Sequence, residues 1–195
     1  KFLKIGEMRF FTVAIMIMII LVAFGGLLGL YSSFGESFRI AFFQVVSGLS
    51  TTGFSTIDFN TWKPHMLLVV IISMLIGGGA GSTAGGIKYT RVYAMYKSAV
   101  FGLKRRFMPE RAVNEEAIYK PEGKVYLSNK YMEEIGRFIF VYMVLYFIGT
   151  FLLTLGGIPL DKAMFEFASA IGTVGLSIGV TTPDTGYFVL IVEMI

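Results

Sequence analysis

Hydrophobic and polar positions alternate along this chain on the scale of whole segments. Phe10–Tyr31 is an uncharged run of 22 residues. As a helix it measures roughly 33 Å, enough to cross the hydrocarbon core of a bilayer. Gly25, Gly26 and Gly29 near its far end predict close helix packing. Glu36–Leu49 is amphipathic and, at about 21 Å, too short to span. Glu36 puts a carboxylate at the positive end of that helix. Ser50–Phe54 comes next, rich in small hydroxyl residues and Gly. It predicts extended backbone beside a water-filled path, the setting in which irregular backbone is tolerated at membrane depth. Asp58–Pro64 is a polar return loop, with Trp62 expected at headgroup level and Pro64 in the first turn of the next helix.

Pro64–Ile87 carries no full charge over 24 residues, and the helical pattern continues to about Phe101. A straight helix of that length would measure roughly 57 Å, nearly twice a bilayer. It contains Gly77-Gly78-Gly79-Ala80-Gly81-Ser82-Thr83-Ala84-Gly85-Gly86, six glycines in ten residues. Each glycine costs about 1 kcal/mol against Ala in a helix, so two half-helices joined by an intramembrane loop are expected. Lys97–Arg137 is polar and partly irregular, with Pro109, Pro121 and Gly123. Phe138–Leu160 is the next uncharged run, of 23 residues. Asp161–Ile171 is a second short segment with an acid at its start, and after it come Gly172–Leu176 and the turn Thr181-Thr182-Pro183-Asp184. Gly186–Ile195 opens a last helix.

The pattern is a repeat of spanning helix, short helix, extended stretch and spanning helix. Ser47-Gly48-Leu49-Ser50-Thr51-Thr52-Gly53-Phe54-Ser55 returns 122 residues later as Ser169-Ala170-Ile171-Gly172-Thr173-Val174-Gly175-Leu176-Ser177. The expected fold is an all-α integral membrane architecture of two helix–pore loop–helix repeats with a broken inner helix. The first repeat covers 1–101 with its glycine loop at 77–88. A cytoplasmic connection covers 102–131, and the second repeat covers 132–195. A chain that opens on Lys1 and stops inside an apolar run reads as a piece of a longer protein.

Composition supports a membrane assignment: 55% of the 195 residues are hydrophobic and 15% charged, with mean hydropathy +0.71, against about a quarter charged in soluble domains. The net charge of +4 does not point to nucleic acid, because nine of the seventeen Lys and Arg lie between Lys97 and Arg137. Segments 1–9 and 97–137 hold twelve of them, while 31–63 and 157–186 hold only Arg39, Lys63 and Lys162. The basic side is cytoplasmic by the positive-inside rule, so the pore loops enter from outside a cell membrane. With no cysteine, a disulfide framework and a Cys-metal site are excluded.

The candidate chemistry is a cation filter. Backbone carbonyls can replace an ion's water without a fixed charge that would hold it too tightly. Aiming successive carbonyls at one axis needs unusual backbone angles, which Gly53 and Gly175 supply, and Thr51 and Thr173 can add hydroxyl oxygens. Both short helices would point partially negative C-terminal ends at this spot. The filter candidates are Ser50, Thr51, Thr52, Gly53 and Phe54, with Gly172, Thr173, Val174, Gly175 and Leu176. No acidic ring occurs at Thr51–Phe54, which favours monovalent ions.

Three stretches carry a family resemblance: Ser-Gly-Leu-Ser-Thr-Thr-Gly-Phe-Ser-Thr (47–56), Gly-Gly-Ala-Gly-Ser-Thr-Ala-Gly-Gly-Ile-Lys (78–88) and Ser-Ala-Ile-Gly-Thr-Val-Gly-Leu-Ser (169–177). The chain resembles the superfamily of K⁺ transporters that includes TrkH, KtrB and the plant HKT proteins. The resemblance implies four such repeats around one pore, of which these are the third and fourth. It also implies K⁺ bound at the filter as transported ion and no covalently bound cofactor. Gly77, Gly78, Gly79, Ala80, Gly81, Ser82, Thr83, Ala84, Gly85, Gly86 and Lys88 would form an intramembrane gate. The implied partners are membrane lipid, a second copy of the protein and a cytosolic ring of nucleotide-binding (TrkA/KtrA-like) subunits. A Gly-Arg-hydrophobic-Glu motif in the family's last helix falls beyond Ile195.

Other readings remain open from the residues alone. A two-repeat channel could complete its pore by dimerising, and a Na⁺-permeable member would share the same motifs. A nucleotide site in the glycine loop is disfavoured, because Gly86-Ile87-Lys88-Tyr89 departs from the Walker ending. An enzyme is not expected, since the chain has one His and no acid between Glu36 and Glu110 except Asp58. Lys88 either places a charge near the path or snorkels to the inner interface. His65 reads as a structural contact, and Tyr89, Tyr93 and Tyr96 as an interfacial belt. Lys104-Arg105-Arg106 reads as a topology signal facing anionic lipid.

Overall fold

A computed structural model of the chain describes residues 6–27, 30–31, 33–79, 81–105, 107, 117–120, 123–126, 128–180 and 187–194. Helix α1 is Gly6–Val22, continued by a π-turn over Ala23–Leu27. Helix α2 is Phe34–Leu49, started by Ser33, whose hydroxyl accepts from the Glu36 amide and so satisfies one of the orphan donors of the first turn. Helix α3 is Pro64–Leu75 with proline at its start, and α4 is Tyr89–Arg105. Helix α5 is Asn129–Leu155, capped by the Ser128 hydroxyl on the Tyr131 amide. Helix α6 is Leu160–Ile171 and α7 is Tyr187–Met194.

Helices α1 with its extension and α5 are long and apolar enough to cross a membrane, over Gly6–Gly25 and Asn129–Leu155. Their most apolar windows are only 17% and 28% buried, which separates them from the core helices of a soluble protein. Val13, Ile17, Leu21, Phe140, Phe147 and Phe151 stand exposed on them, an apolar coat suited to lipid or a protein neighbour.

Helices α2, α3 and α6 have 16, 12 and 12 residues, or roughly 18–24 Å at helical rise, short of the ~30 Å core. Helix α3 packs on both α2 and α6, with Met66, Val70 and Met74 buried. Phe59, ahead of α3, lies 4.9 Å from the Phe165 ring of α6 and 5.2 Å from that of Trp62. The two repeats therefore share one core.

Several sequence expectations change here. Helix α1 starts before Phe10, α5 starts at Asn129 and ends at Leu155, where Gly156 and Gly157 turn the chain. The connection contains an antiparallel hairpin of Ala117–Lys120 with Gly123–Tyr126. Trp62 packs inward, 5% exposed. Tyr89 stacks on Phe11 and Tyr93 lies against Phe10, both buried against α1 rather than forming a belt, while Tyr96 stacks on Phe10. His65 Nε2 bonds the Gly25 carbonyl. Ala80, Arg106, Pro109, Pro121 and Thr181–Gly186 lie outside the described residues.

Gly149 of α5 sits against the face of Phe167 of α6, and a Cβ there would enter the ring. Gly149→Val should therefore lower the thermal midpoint of the folded protein, at an overpacking cost of about 1–3 kcal/mol. The exposed Leu145→Val change should stay within about 0.5 kcal/mol. Equal midpoints for the two variants would contradict this packing.

Candidate functional site: two helix ends and a glycine loop

Helices α2 and α6 end in the same turn. In α2 the Thr52 N–H bonds the Ser47 carbonyl at 3.1 Å and the Thr51 N–H bonds the Gly48 carbonyl at 3.3 Å. In α6 Val174 N–H bonds Ser169 at 2.8 Å and Thr173 N–H bonds Ala170 at 3.0 Å. These are two Schellman endings, which satisfy the last carbonyls of a helix without water. Ser50 and Gly172 occupy the cap, with φ −79° in both.

The next residue in such a turn takes left-handed backbone and is usually glycine. Here it is Thr51 and Thr173, both at φ 53°. A β-branched residue there is an outlier, at a cost of about 1–3 kcal/mol each. Thr52 and Val174 return to negative φ, and Gly53 and Gly175 are positive again at 74° and 86°. Alternating the sign of φ turns successive carbonyls toward one side, whereas an ordinary strand alternates them. The two stretches adjoin: a Cβ on Gly53 would meet the Val174 carbonyl oxygen, while one on Gly175 would meet nothing. A cavity of about 540 Å³ lies along the second stretch, lined by Ser169, Thr173, Val174, Gly175 and Ser177 among others.

The stretches are tied back to their helices. Ser47 Oγ donates to the Phe54 carbonyl at 2.7 Å, and Gln44 Nε2 donates to Thr56 Oγ1 at 3.2 Å. In the second copy Glu166 Oε1 accepts from Ser177 Oγ at 2.6 Å, Ile178 N at 2.9 Å and Val180 N at 3.2 Å. Asn60 links the copies, donating from Nδ2 to the Ile178 carbonyl at 3.0 Å and accepting from Lys162 Nζ at 2.8 Å. Asp58 holds Asn60 through its backbone and side-chain N–H groups, at 2.9 Å each. Those bonds, with the charge of Lys162, keep the Asp58 carboxyl below its usual 3.8.

The glycine loop lies against the second stretch. Strands β1 (Ile76–Gly77) and β2 (Ile87–Lys88) pair in parallel and close it at its base. A Cβ on Gly85 would meet the Gly172 carbonyl oxygen and Thr173 Oγ1, and one on Gly77 would meet the Gly85 carbonyl oxygen. The Lys88 ammonium donates to the Ser82 carbonyl at 2.8 Å and to the Ala84 carbonyl. Gly78, Gly79, Gly81, Ser82, Thr83, Ala84 and Gly86 complete the described part of the loop.

The family model described as "TrkH: Cation transport protein" matches residues 2–195. The chain belongs to the TrkH family. It is 33% identical over 144 residues to an uncharacterized cation transporter of Methanocaldococcus jannaschii, covering 73% of this chain and 29% of that protein. It is 29% identical over 183 residues to the Trk system potassium uptake protein TrkG of Escherichia coli K12, covering 92% and 36%. With the Ktr system potassium uptake protein B of Vibrio alginolyticus it shares 32% over 166 residues, covering 83% and 33%. The crystal structure of the potassium transporter TrkH from Vibrio parahaemolyticus superposes with TM-score 0.78 at 25% identity, over 98% of this chain and 42% of that one. The chain thus spans about a third of the length of these curated relatives.

Among the filter candidates, Gly53 lies against Val174 and Gly175, while Gly172 and Thr173 lie against Gly85 of the loop. Ser50 and Thr52 pair their hydroxyls with each other at 2.7 Å. Phe54 is 69% exposed and its counterpart Leu176 2%. Gln44, Glu166 and Asn60, which hold these stretches through hydrogen bonds, lie outside the repeated motifs. A signal exists for Gln44 and Glu166, since Gln44 and Ser47 recur 122 residues on as Glu166 and Ser169, polar residues in the apolar C-terminal parts of α2 and α6.

The two glycines should respond differently to substitution. Gly175→Ser faces only the left-handed backbone penalty, about 1–2 kcal/mol. Gly53→Ser adds a clash with the Val174 carbonyl and should lower the thermal midpoint further. The reverse order would show that the two stretches are not adjacent.

Proposed function

We propose that this chain supplies two of four filter strands of a pore that takes up K⁺ across the cell membrane. The observation that carries the reading is the doubled helix ending, with a strained Thr and a Gly two residues later in each copy. Strain repeated at equivalent positions is retained where a site needs it. Alternating backbone presents carbonyls to a dehydrated cation, and two helix C-termini add partial negative charge there. Relatives named as potassium uptake proteins support K⁺ as the ion. Residues 1–9 and 97–137 would face the cytoplasm, with the short helices entering from outside. The chain would be the third and fourth repeats of the full-length protein. A homodimer working with a cytosolic nucleotide-binding ring is what the family resemblance implies.

Within this reading Gly77–Lys88 gates the pore by lying under Gly172 and Thr173. Lys88 holds the loop in its folded form through charge-assisted bonds, the strong class of hydrogen bond.

The deciding experiment is cation flux through the full-length protein in liposomes, K⁺ against Na⁺. K⁺-preferring flux that loses its preference in Gly53→Ser and in Gly175→Ser is expected. Flux indifferent to both glycines would remove the filter assignment. Lys88→Met should raise resting flux about tenfold, since a hydrogen bond to a charged group is worth about 1.5 kcal/mol. Resting flux unchanged in that variant would leave the loop as packing alone.

A further inference from the structure

The two filter stretches are braced unequally, and the difference lies in one buried carboxylate. Gln44 and Glu166 hold equivalent positions, ten residues ahead of Phe54 and Leu176 respectively. Gln44 is fully buried and reaches its stretch through one bond, Nε2 to Thr56 Oγ1. Its Oε1 has no partner among the described residues. Glu166 is 4% exposed, and one of its oxygens gathers a hydroxyl and two backbone N–H groups from Ser177, Ile178 and Val180. Those residues come directly after Gly175 and Leu176. Asn60 holds the Ile178 carbonyl from the opposite copy, so the segment is gripped on its N–H groups by Glu166 and on a carbonyl by Asn60. Glu166 also lines the cavity beside Thr173, Val174 and Gly175.

We infer that Glu166 is a specificity-positioning residue. Its carboxylate clamps segment 177–180 and thereby sets how far the carbonyls at Val174 and Gly175 can close on an ion. The inference rests on the filter reading above. Ions that differ by a few tenths of an ångström in radius are told apart only if the ligand cage resists adjusting to each of them. Three donors converging on one carboxylate oxygen make a stiffer support than the single neutral bond of Gln44.

The test is the K⁺-to-Na⁺ flux ratio of the full-length protein in liposomes, at equal amounts of folded protein, for wild type, Glu166→Gln and Gly175→Ser. Glu166→Gln keeps the side-chain shape and removes the charge. It should move the ratio about tenfold toward unity. A role in folding alone would lower both fluxes alike and leave the ratio in place. A folded Glu166→Gln protein with an unchanged ratio, beside a Gly175→Ser protein whose ratio has changed, would overturn the clamp and leave the filter standing. Ratios unchanged in both would overturn the filter reading itself. If Glu166→Gln does not fold, Ser177→Ala removes one of the three donors. It should move the ratio in the same direction by a smaller factor, and no movement there would also overturn the clamp.

Discussion

The end of any helix leaves its last carbonyls without partners inside the helix. The rest of this structure depends on how that constraint is met. Helices α2 and α6 both answer it with a Schellman turn, in which the N–H groups of Thr51, Thr52, Thr173 and Val174 fold back on the final carbonyls. The turn demands left-handed backbone at one residue, and the chain places threonine there twice. A glycine would relax the turn but carry no hydroxyl and hold no single conformation. The cost of the two threonines is offset by the packing of α3 between the short helices and by the bonds from Ser47, Glu166 and Asn60 that anchor the residues just past each turn.

The glycine loop meets the same constraint by a different route. Between α3 and α4 the chain has no helix to satisfy its backbone, so it pairs Ile76–Gly77 with Ile87–Lys88 and uses the Lys88 ammonium as donor to two loop carbonyls. Glycines allow the backbone segments to touch. Gly77 lies on Gly85, and Gly85 lies on Gly172 and Thr173. The loop and the stretch after α6 are consequently in direct backbone contact.

The two repeats are alike in backbone and unlike in side chains. Thr51 and Thr173 share φ 53°, yet Phe54 is exposed where Leu176 is buried, and Gln44 stands where Glu166 does. The backbone turn is a local solution that both sequences reach. Its surroundings differ because each repeat meets different neighbours: Gly53 lies against Val174, while Gly172 lies against Gly85 of the loop.

By itself the sequence determined the short segments ending at Leu49 and Ile171, the interruption at Gly77–Gly86 and the repeat of 122 residues, because apolar run length and glycine content act locally. The membrane class and the positions of the two Thr-x-Gly stretches were legible for the same reason. The hairpin at Ala117–Tyr126 was not, since its strands are short and lack a two-residue turn signal. The inward turn of Trp62, Tyr89 and Tyr93 was hidden because an aromatic ring suits an interface and a core equally well. Only the tertiary structure decided that Gly53 lies against Val174 and Gly85 against Gly172. Only it showed that Lys88 serves the loop and Glu166 the second stretch. Those are contacts between segments far apart in the chain, and no periodicity or composition within one segment encodes which neighbour it will meet.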